Sequence, residues 1–186
     1  INKIIWNDDI EQLDSPMKTQ EFELLPGVIE ALRMIQGKNF LLFIVTNQPG
    51  AAKGKTNYLT LCEINNKFIN IAASEGINIS CVEMCPHYAK ESEFTRENFL
   101  IHDCTCRKPK TGMIDSICAK FNIDIKNSWM AGDSASDVIC GRNSGLKTAF
   151  IGNFKCDSCH MLDFNKPDII CENLYNFAEY IINWKD

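Results

Sequence analysis

The sequence predicts an α/β fold in which a mainly parallel sheet carries helices on both faces. Short apolar runs alternate along the chain with segments whose apolar residues recur at helical spacing, and this alternation is typical of parallel sheets. The 186 residues suffice for a single domain, 1–186, with a substantial core. Ligands of such folds bind at the carboxyl ends of the strands. Polar residues that directly follow an apolar run are therefore the candidates for function.

The helices are predicted from apolar residues three or four positions apart. Pro26-Gly27 opens the first helix, in which Val28, Leu32 and Ile35 share one face. A longer helical segment follows Lys55. Later helices are expected at 112–121, 136–143 and 174–184.

The strands are predicted from shorter apolar runs. Residues 40–45 are almost continuously apolar, as expected for a strand buried on both faces. Two charged stretches have neither pattern. We expect 7–20 to be a solvated loop that could cover the site, and 88–103 to be an excursion from the sheet. Further strands are expected at 77–84, 129–131, 148–151 and 168–171.

A polar turn follows the first strand. Thr46 and Asn47 come directly after the 40–45 run, and Gln48-Pro49-Gly50 then turns the chain sharply. A threonine hydroxyl and backbone amides at such a strand end can hold phosphate oxygens. A polar turn without any ligand would have the same sequence, so both interpretations stay open here.

The basic pair Arg107-Lys108 suits the same chemistry. The ammonium group of Lys108 could neutralise a transferring phosphoryl group, and the planar guanidinium group of Arg107 suits a second phosphate or another anionic group of a substrate. A solvated surface pair is the alternative.

Asp133 follows the run at 129–131 and a glycine, so its carboxylate can approach a cation closely. Asp137 lies one helical turn later, and hard carboxylate oxygens suit magnesium. Alternatively, Asp133 is the N-cap of the helix that begins near Ser136.

The ten cysteines indicate a metal site and reduced thiols more than disulfides, because the apolar content is that of an ordinary core. Cys85-Pro86-His87 and Cys104-Thr105-Cys106 supply three thiolates and one imidazole, the composition of a closed structural zinc site. Such a zinc would hold the loop 85–106 and fix the direction of the basic pair. Buried free cysteines are the alternative. We interpret a further group as a chance pattern or an accessory metal site: Cys156, Cys159 and His160.

Charge and hydropathy exclude several classes of partner. The formal net charge is −5 and there is no extended basic cluster, so nucleic acid is not expected. No apolar stretch reaches the roughly 18 residues that span a bilayer, and the first residues lack a signal-peptide pattern. We expect a cytoplasmic monomer that does not bind membranes.

Four ordered motifs resemble the haloacid dehalogenase superfamily. They are similar above all to its heptose-bisphosphate and histidinol-phosphate phosphatases, which carry a zinc loop, and the likeness runs from residue 1 to about residue 152. The resemblance implies a Rossmann-like fold without a large cap domain. The motifs are T-N-Q-P-G at 46–50, C-P-H at 85–87, C-T-C-R-K-P at 104–109 and A-G-D-S-A-S-D at 131–137.

The resemblance also implies roles for single residues. Thr46 would bind the phosphoryl group, Lys108 would stabilise it, and Asp133 would bind magnesium. Further substrate contacts are expected from Asn47, Gln48, Arg107 and Ser134. The zinc ligands of the family correspond to Cys85, His87, Cys104 and Cys106.

One family motif is not found. It is an apolar strand ending in Asp-x-Asp-Gly, whose first aspartate attacks phosphorus while the second acts as general acid and base. We expect it about four residues before Ile1, and we therefore expect the 186-residue chain alone to be inactive. The alternative is that Ile4-Ile5-Trp6 is a remnant of this strand and that Asp8 or Asp9 is the nucleophile.

These observations predict a magnesium-dependent phosphoric monoester hydrolase with a structural zinc, acting through an aspartyl-phosphate. A heptose bisphosphate, cleaved at its 7-phosphate, is the first choice of substrate. Histidinol phosphate and other phosphomonoesters are the alternatives. If the missing motif is truly absent, a non-catalytic protein that binds a phosphorylated ligand is expected.

Overall fold

The computed structural model describes residues 1–7, 12–90, 97–153 and 165–184, and its architecture confirms the predicted α/β class. The predicted helices and sheet strands are present, with ends moved by no more than a few residues. The strands are β1 (Ile5–Asn7), β2 (Gln12–Asp14), β3 (Leu42–Asn47), β4 (Ile79–Cys85), β5 (Trp129–Gly132), β6 (Lys147–Ile151) and β7 (Ile169–Cys171). The helices are α1 (Val28–Gly37), α2 (Tyr58–Ser74), α3 (Gly112–Lys120), α4 (Ala135–Asn143) and α5 (Leu174–Asn183).

The parallel sheet consists of two parts. β3 pairs with β4, and β6 lies between β5 and β7. Within the described residues, β3 and β5 each pair with one strand, so each has a free backbone edge. Both edges line the same cavity of about 990 Å³. We call this cavity the central slot.

Helices cover both faces of the two parts. Ile44 of β3 and Ala131 of β5 pack on the side of α1, α2 and α5. The neighbouring residues Val45 and Met130 pack on the opposite side, with α3 and α4. Because successive strand residues face opposite sides of a sheet, the two parts lie in one layer. The central slot is therefore an interruption within that layer.

The expectation of a solvated loop at 7–20 is wrong for residue 7 and for residues 12–14, which lie in strands. β1 and β2 form an antiparallel pair in which Asn7 lies opposite Gln12. Three-residue strands are too short for a period-2 pattern to be recognised in a sequence. This pairing also argues against Ile4-Ile5-Trp6 as the remnant of a central strand, because β1 pairs outside the parallel sheet.

The β1–β2 pair is tied to the turn after β3. Asp14 forms an ion pair with Lys55, and the hydroxyl of Thr56 donates a hydrogen bond of 2.9 Å to the backbone oxygen of Met17. These contacts place residues 14–17 beside the end of β3, where they line a second cavity.

Candidate active site

The carboxyl ends of β3 and β5 meet at the mouth of the central slot. Thr46 is the penultimate residue of β3, and Asp133 directly follows β5. Lys108, from the loop before α3, lines the same slot as these two residues. The structure therefore brings together the three predicted catalytic residues.

Lys108 reaches across this mouth. Its Nζ donates a hydrogen bond of 2.8 Å to the backbone oxygen of Val45 in β3 and lies 2.6 Å from Oδ1 of Asp137 in α4. The exposed fractions of the Lys108 and Asp137 side chains are only 10% and 6%. A buried ion pair thus fixes the ammonium group of Lys108 at the mouth of the slot.

Asn47 fixes the backbone of Lys108. The Asn47 amide donates to the Lys108 carbonyl oxygen at 3.2 Å and accepts from the Lys108 N–H at 3.0 Å. The Gln48 amide is paired in the same two-way manner with Asn65, at 3.2 and 3.0 Å. Both amides hold protein groups here, and their contacts with a substrate stay predictions.

Asp133 is not the N-cap of α4, so that alternative is wrong. The N-cap is Ser134, whose N–H donates to Oδ2 of Asp137 at 3.0 Å and whose Oγ accepts from the N–H of Ser136 at 3.3 Å. The carboxylate of Asp133 is exposed and therefore available at the slot mouth. The structural role of Asp137 was missed, although Ser-x-x-Asp at 134–137 is a capping pattern. A contact between Ser134 and a substrate stays a prediction.

Gly132 is a point of close approach in this site. An added Cβ would overlap Oδ2 of Asp137 and would displace the side chain that holds Lys108. We expect Gly132→Ala to lower the free energy of unfolding by about 1–3 kcal/mol, the usual cost of overpacking, in urea denaturation. Gly37→Ala is the control, because a Cβ there meets nothing within 4 Å. Equal losses in both variants would contradict this account.

The four predicted zinc ligands form one cluster. The ligand atoms of Cys85, His87, Cys104 and Cys106 all lie within 4.8 Å of one another. Sγ of Cys85 lies 3.6 Å from Sγ of Cys104 and 3.1 Å from Sγ of Cys106. Sulfur ligands of a tetrahedral zinc, bound at about 2.3 Å, stand about 3.8 Å apart. The cluster therefore fits a zinc ion, and its cysteines are free thiols.

Burial dominates the electrostatics of this cluster. Burial raises the pKa of the Cys85 and Cys106 thiols. At Cys104 burial also acts to raise the pKa, but hydrogen bonds, first from the backbone of Arg107, leave it lowered. Burial lowers the pKa of His87, so its imidazole is neutral at pH 7, the form that binds zinc.

Arg107 contacts the loop that carries the candidate zinc ligands, and its predicted role in substrate recognition stays a prediction. Arg107 follows a candidate zinc ligand, and its Nη1 donates to the backbone oxygen of His87 at 3.3 Å. Its Cζ lies 5.6 Å from the centroid of the Tyr88 ring. Sequence reasoning missed Tyr88 and also Lys53, which lines the cavity of about 230 Å³ beside Thr46. Neither residue belongs to a pattern that could have indicated it.

Some predicted residues lie outside the part of the chain that the structure describes. These are Asp8, Asp9, Cys156, Cys159 and His160. In the described part, no helix is both long enough and apolar enough to span a membrane.

Comparison with known proteins agrees with this geometry. Residues 105–177 match the model of the HAD-hydrolase-like family. A D-glycero-alpha-D-manno-heptose-1,7-bisphosphate 7-phosphatase from Campylobacter jejuni is 34% identical over 139 residues, which cover 73% of this chain and 72% of that protein. The chain belongs to the HAD-like hydrolases.

Two further proteins are similar to this HAD-like hydrolase. A D-glycero-beta-D-manno-heptose-1,7-bisphosphate 7-phosphatase from Haemophilus ducreyi is 32% identical over 165 residues, covering 87% of this chain and 86% of that one. The crystal structure of D,D-heptose 1,7-bisphosphate phosphatase from B. bronchiseptica, complexed with magnesium and phosphate, has a TM-score of 0.73 at 25% identity and covers 91% of this chain and 90% of that one. The resemblance predicted from the four motifs is confirmed.

Proposed function

We propose that this HAD-like hydrolase is a magnesium-dependent phosphatase that removes the 7-phosphate from a heptose 1,7-bisphosphate. The observation that carries the proposal is the meeting of Thr46, Lys108 and Asp133 at the mouth of the central slot. The names of the relatives from C. jejuni and H. ducreyi support the substrate. The magnesium and phosphate in the B. bronchiseptica structure support the cofactor.

Each of the three residues has a role that suits its chemistry. The hydroxyl of Thr46 donates to a phosphate oxygen. The ammonium group of Lys108 neutralises charge that develops on the phosphoryl group, and its burial strengthens that interaction. The exposed carboxylate of Asp133 would hold magnesium, which supplies further positive charge to the phosphate oxygens. Asn47 holds the backbone of Lys108, and Asp137 holds its ammonium group. Both residues therefore act through Lys108.

The attacking carboxylate, in this proposal, lies on a strand that fills the central slot. In the part of the chain that the structure describes, no strand pairs with the flanking edges of β3 and β5. Helices already cover both faces, so an apolar strand would complete one parallel sheet. Ile1 lines the central slot together with Asp133 and Asp137. A strand joined to Ile1 would therefore end at the mouth of the slot.

The proposed reaction has two steps. A carboxylate oxygen of the strand attacks phosphorus, and the bond from phosphorus to the C7 oxygen of the sugar breaks while a second acid of the strand protonates that oxygen. Water then attacks the aspartyl-phosphate, with the same second group accepting its proton. Inorganic phosphate leaves and the first carboxylate is restored.

Extension of the chain at Ile1 tests the placement of this carboxylate. The 186-residue chain alone is expected to release no phosphate from heptose 1,7-bisphosphate in the presence of magnesium. The chain extended by an apolar strand ending in Asp-x-Asp-Gly is expected to release it, and the same extension ending in Asn-x-Asp-Gly is the inactive control.

Two outcomes would contradict the proposal. Turnover by the unextended chain that is lost in Asp8→Asn or Asp9→Asn would place the nucleophile within the 186 residues. Binding of phosphate by an extended chain that hydrolyses neither heptose bisphosphate nor histidinol phosphate would favour the non-catalytic alternative.

The zinc in this proposal is structural. Four protein ligands complete a tetrahedral site and leave no position for a substrate. The ion would hold the loop 85–106, and with it Arg107, in the orientation that recognises the substrate. The expected cytoplasmic location and monomeric state stay predictions.

A further inference from the structure

We propose that His102 is a positioning residue for the zinc site, whose ring holds the imidazole of His87 in place and slows the loss of the metal. The inference rests on the structural zinc of the proposed function, but it does not depend on the phosphatase reaction. The four motifs of the resemblance do not include His102, which lies two residues before Cys104. The inference therefore adds a residue of this chain to a site whose four ligands were expected from the sequence.

The backbone brings the two imidazoles together. Tyr88 and Ile101 form an isolated parallel bridge, and the N–H of Tyr88 donates to the backbone oxygen of Leu100 at 3.1 Å. His87 directly precedes this bridge along its segment, and His102 directly follows it. Leu100 is buried, and both bridge residues pack against the apolar cluster to which it belongs. The protein therefore fixes the relative positions of the two histidine backbones.

The ring of His102 packs on the ring of His87. The ring centroids are 4.3 Å apart and the ring planes are tilted by 50°, a separation at which aromatic rings are in contact. Nδ1 of His102 also lies 3.1 Å from the backbone oxygen of Phe99. A carbonyl oxygen can only accept a hydrogen bond, so this Nδ1 carries a proton. His102 is therefore oriented by the protein and not by the metal.

His102 lies beside the cluster as a support for one of its ligands. Among the described residues, the metal-binding atoms that converge are those of the four predicted zinc ligands. Nδ1 of His87 points into this cluster, 3.1 Å from Sγ of Cys106 and 3.7 Å from Sγ of Cys85. The neighbouring ring of His102 restrains rotation of the His87 imidazole. Groups that orient a metal-bound histidine change the metal affinity by about 10–100-fold.

His87 is the ligand whose displacement would open the site. It is the one uncharged ligand of the four and is partly exposed, whereas Cys85 is fully buried. A chelator in solution can replace the imidazole only when its ring turns away from the cluster. His102 is exposed and packs against this ring, so it hinders that turn. We therefore expect His102 to control how fast zinc is lost.

Release of zinc from the purified 186-residue chain to an excess of the chelating dye pyridylazoresorcinol tests the inference. His102→Ala is expected to release zinc about tenfold faster than the unaltered chain, since a group that orients a metal-bound histidine is lost. His102→Phe retains a ring and should release zinc at close to the unaltered rate. His102→Asn retains a donor for the carbonyl of Phe99 but no ring, and should be as fast as His102→Ala.

Tyr180→Ala is the matched control for loss of an exposed ring. The ring of Tyr180 contacts that of Trp129, with centroids 5.7 Å apart, and neither residue belongs to the zinc cluster. This variant should release zinc at the unaltered rate, even where its melting temperature falls.

The outcomes separate the ring contact from the hydrogen bond and from general stability. An unaltered rate in His102→Ala would overturn the inference, and so would fast release by His102→Phe. Slow release by His102→Asn would assign the effect to the bond with Phe99 and would also overturn it, as would equal acceleration in Tyr180→Ala. A purified chain without zinc would overturn the inference together with the structural zinc, and would leave the proposed reaction standing.

Discussion

Lys108→Met is expected to lower the free energy of unfolding by about 3–5 kcal/mol, because it leaves the buried carboxylate of Asp137 without its cation. In the extended, active chain it is also expected to lower kcat at least about a hundredfold, since a preorganised cation on developing charge contributes several kcal/mol to the transition state. Urea denaturation measures the first effect, and phosphate release measures the second.

Lys120→Met is the matched control for this change. Lys120 also forms an ion pair, at 2.5 Å from Glu83, but 55% of its side chain is exposed, so a loss below about 1 kcal/mol and an unchanged kcat are expected. Adding Asp137→Asn to Lys108→Met should recover part of the stability without restoring turnover. Small and equal effects at Lys108 and Lys120 would contradict the assigned role.

Cys104→Ser is expected to remove the zinc that the unaltered protein should contain at about one ion per chain. Binding of structural zinc contributes on the order of 10 kcal/mol in small peptides, so the loop 85–106 should lose order and the melting temperature should fall. Binding of phosphate at Thr46 and Lys108 should weaken less, because neither residue touches the metal. Elemental analysis and thermal denaturation measure these effects.

Cys118→Ser provides the control for the cysteine substitution. Cys118 is a free, partly exposed thiol of α3 outside the cluster, and its replacement should leave both zinc content and melting temperature unchanged. Purified protein without zinc, or zinc retained in full by Cys104→Ser, would contradict the zinc site.

Local signals explain why much of the site was predictable. A buried strand leaves an apolar run, so the sequence located β3 and β5 and thereby the polar residues Thr46 and Asp133 at their ends. The candidate zinc ligands were predicted from residue type and from the resemblance, because three thiolates and one imidazole have the composition of a closed zinc site. In the structure, the pair Cys85 and His87 lies next to the pair Cys104 and Cys106, although the two pairs belong to separate segments of the chain.

The unpredicted features depend on contacts between distant segments. Apolar runs indicate which segments are strands but not which strands pair, so the interruption between β3 and β5 could be expected only from the resemblance. The ion pair between Lys108 and Asp137 joins a loop to a helix, and no spacing rule indicates it. Lys53 and Tyr88 are single residues whose meeting depends on how two loops pack.

The regiochemistry of phosphate release tests the central claim most directly. Phosphorus NMR would follow heptose 1,7-bisphosphate incubated with the chain extended at Ile1, with and without magnesium, and with histidinol phosphate as the competing substrate. The account predicts that the 7-phosphate is lost, that the 1-phosphate is retained, that magnesium is required, and that histidinol phosphate reacts far more slowly. Loss of the 1-phosphate, faster reaction of histidinol phosphate, or no release from any substrate would contradict it.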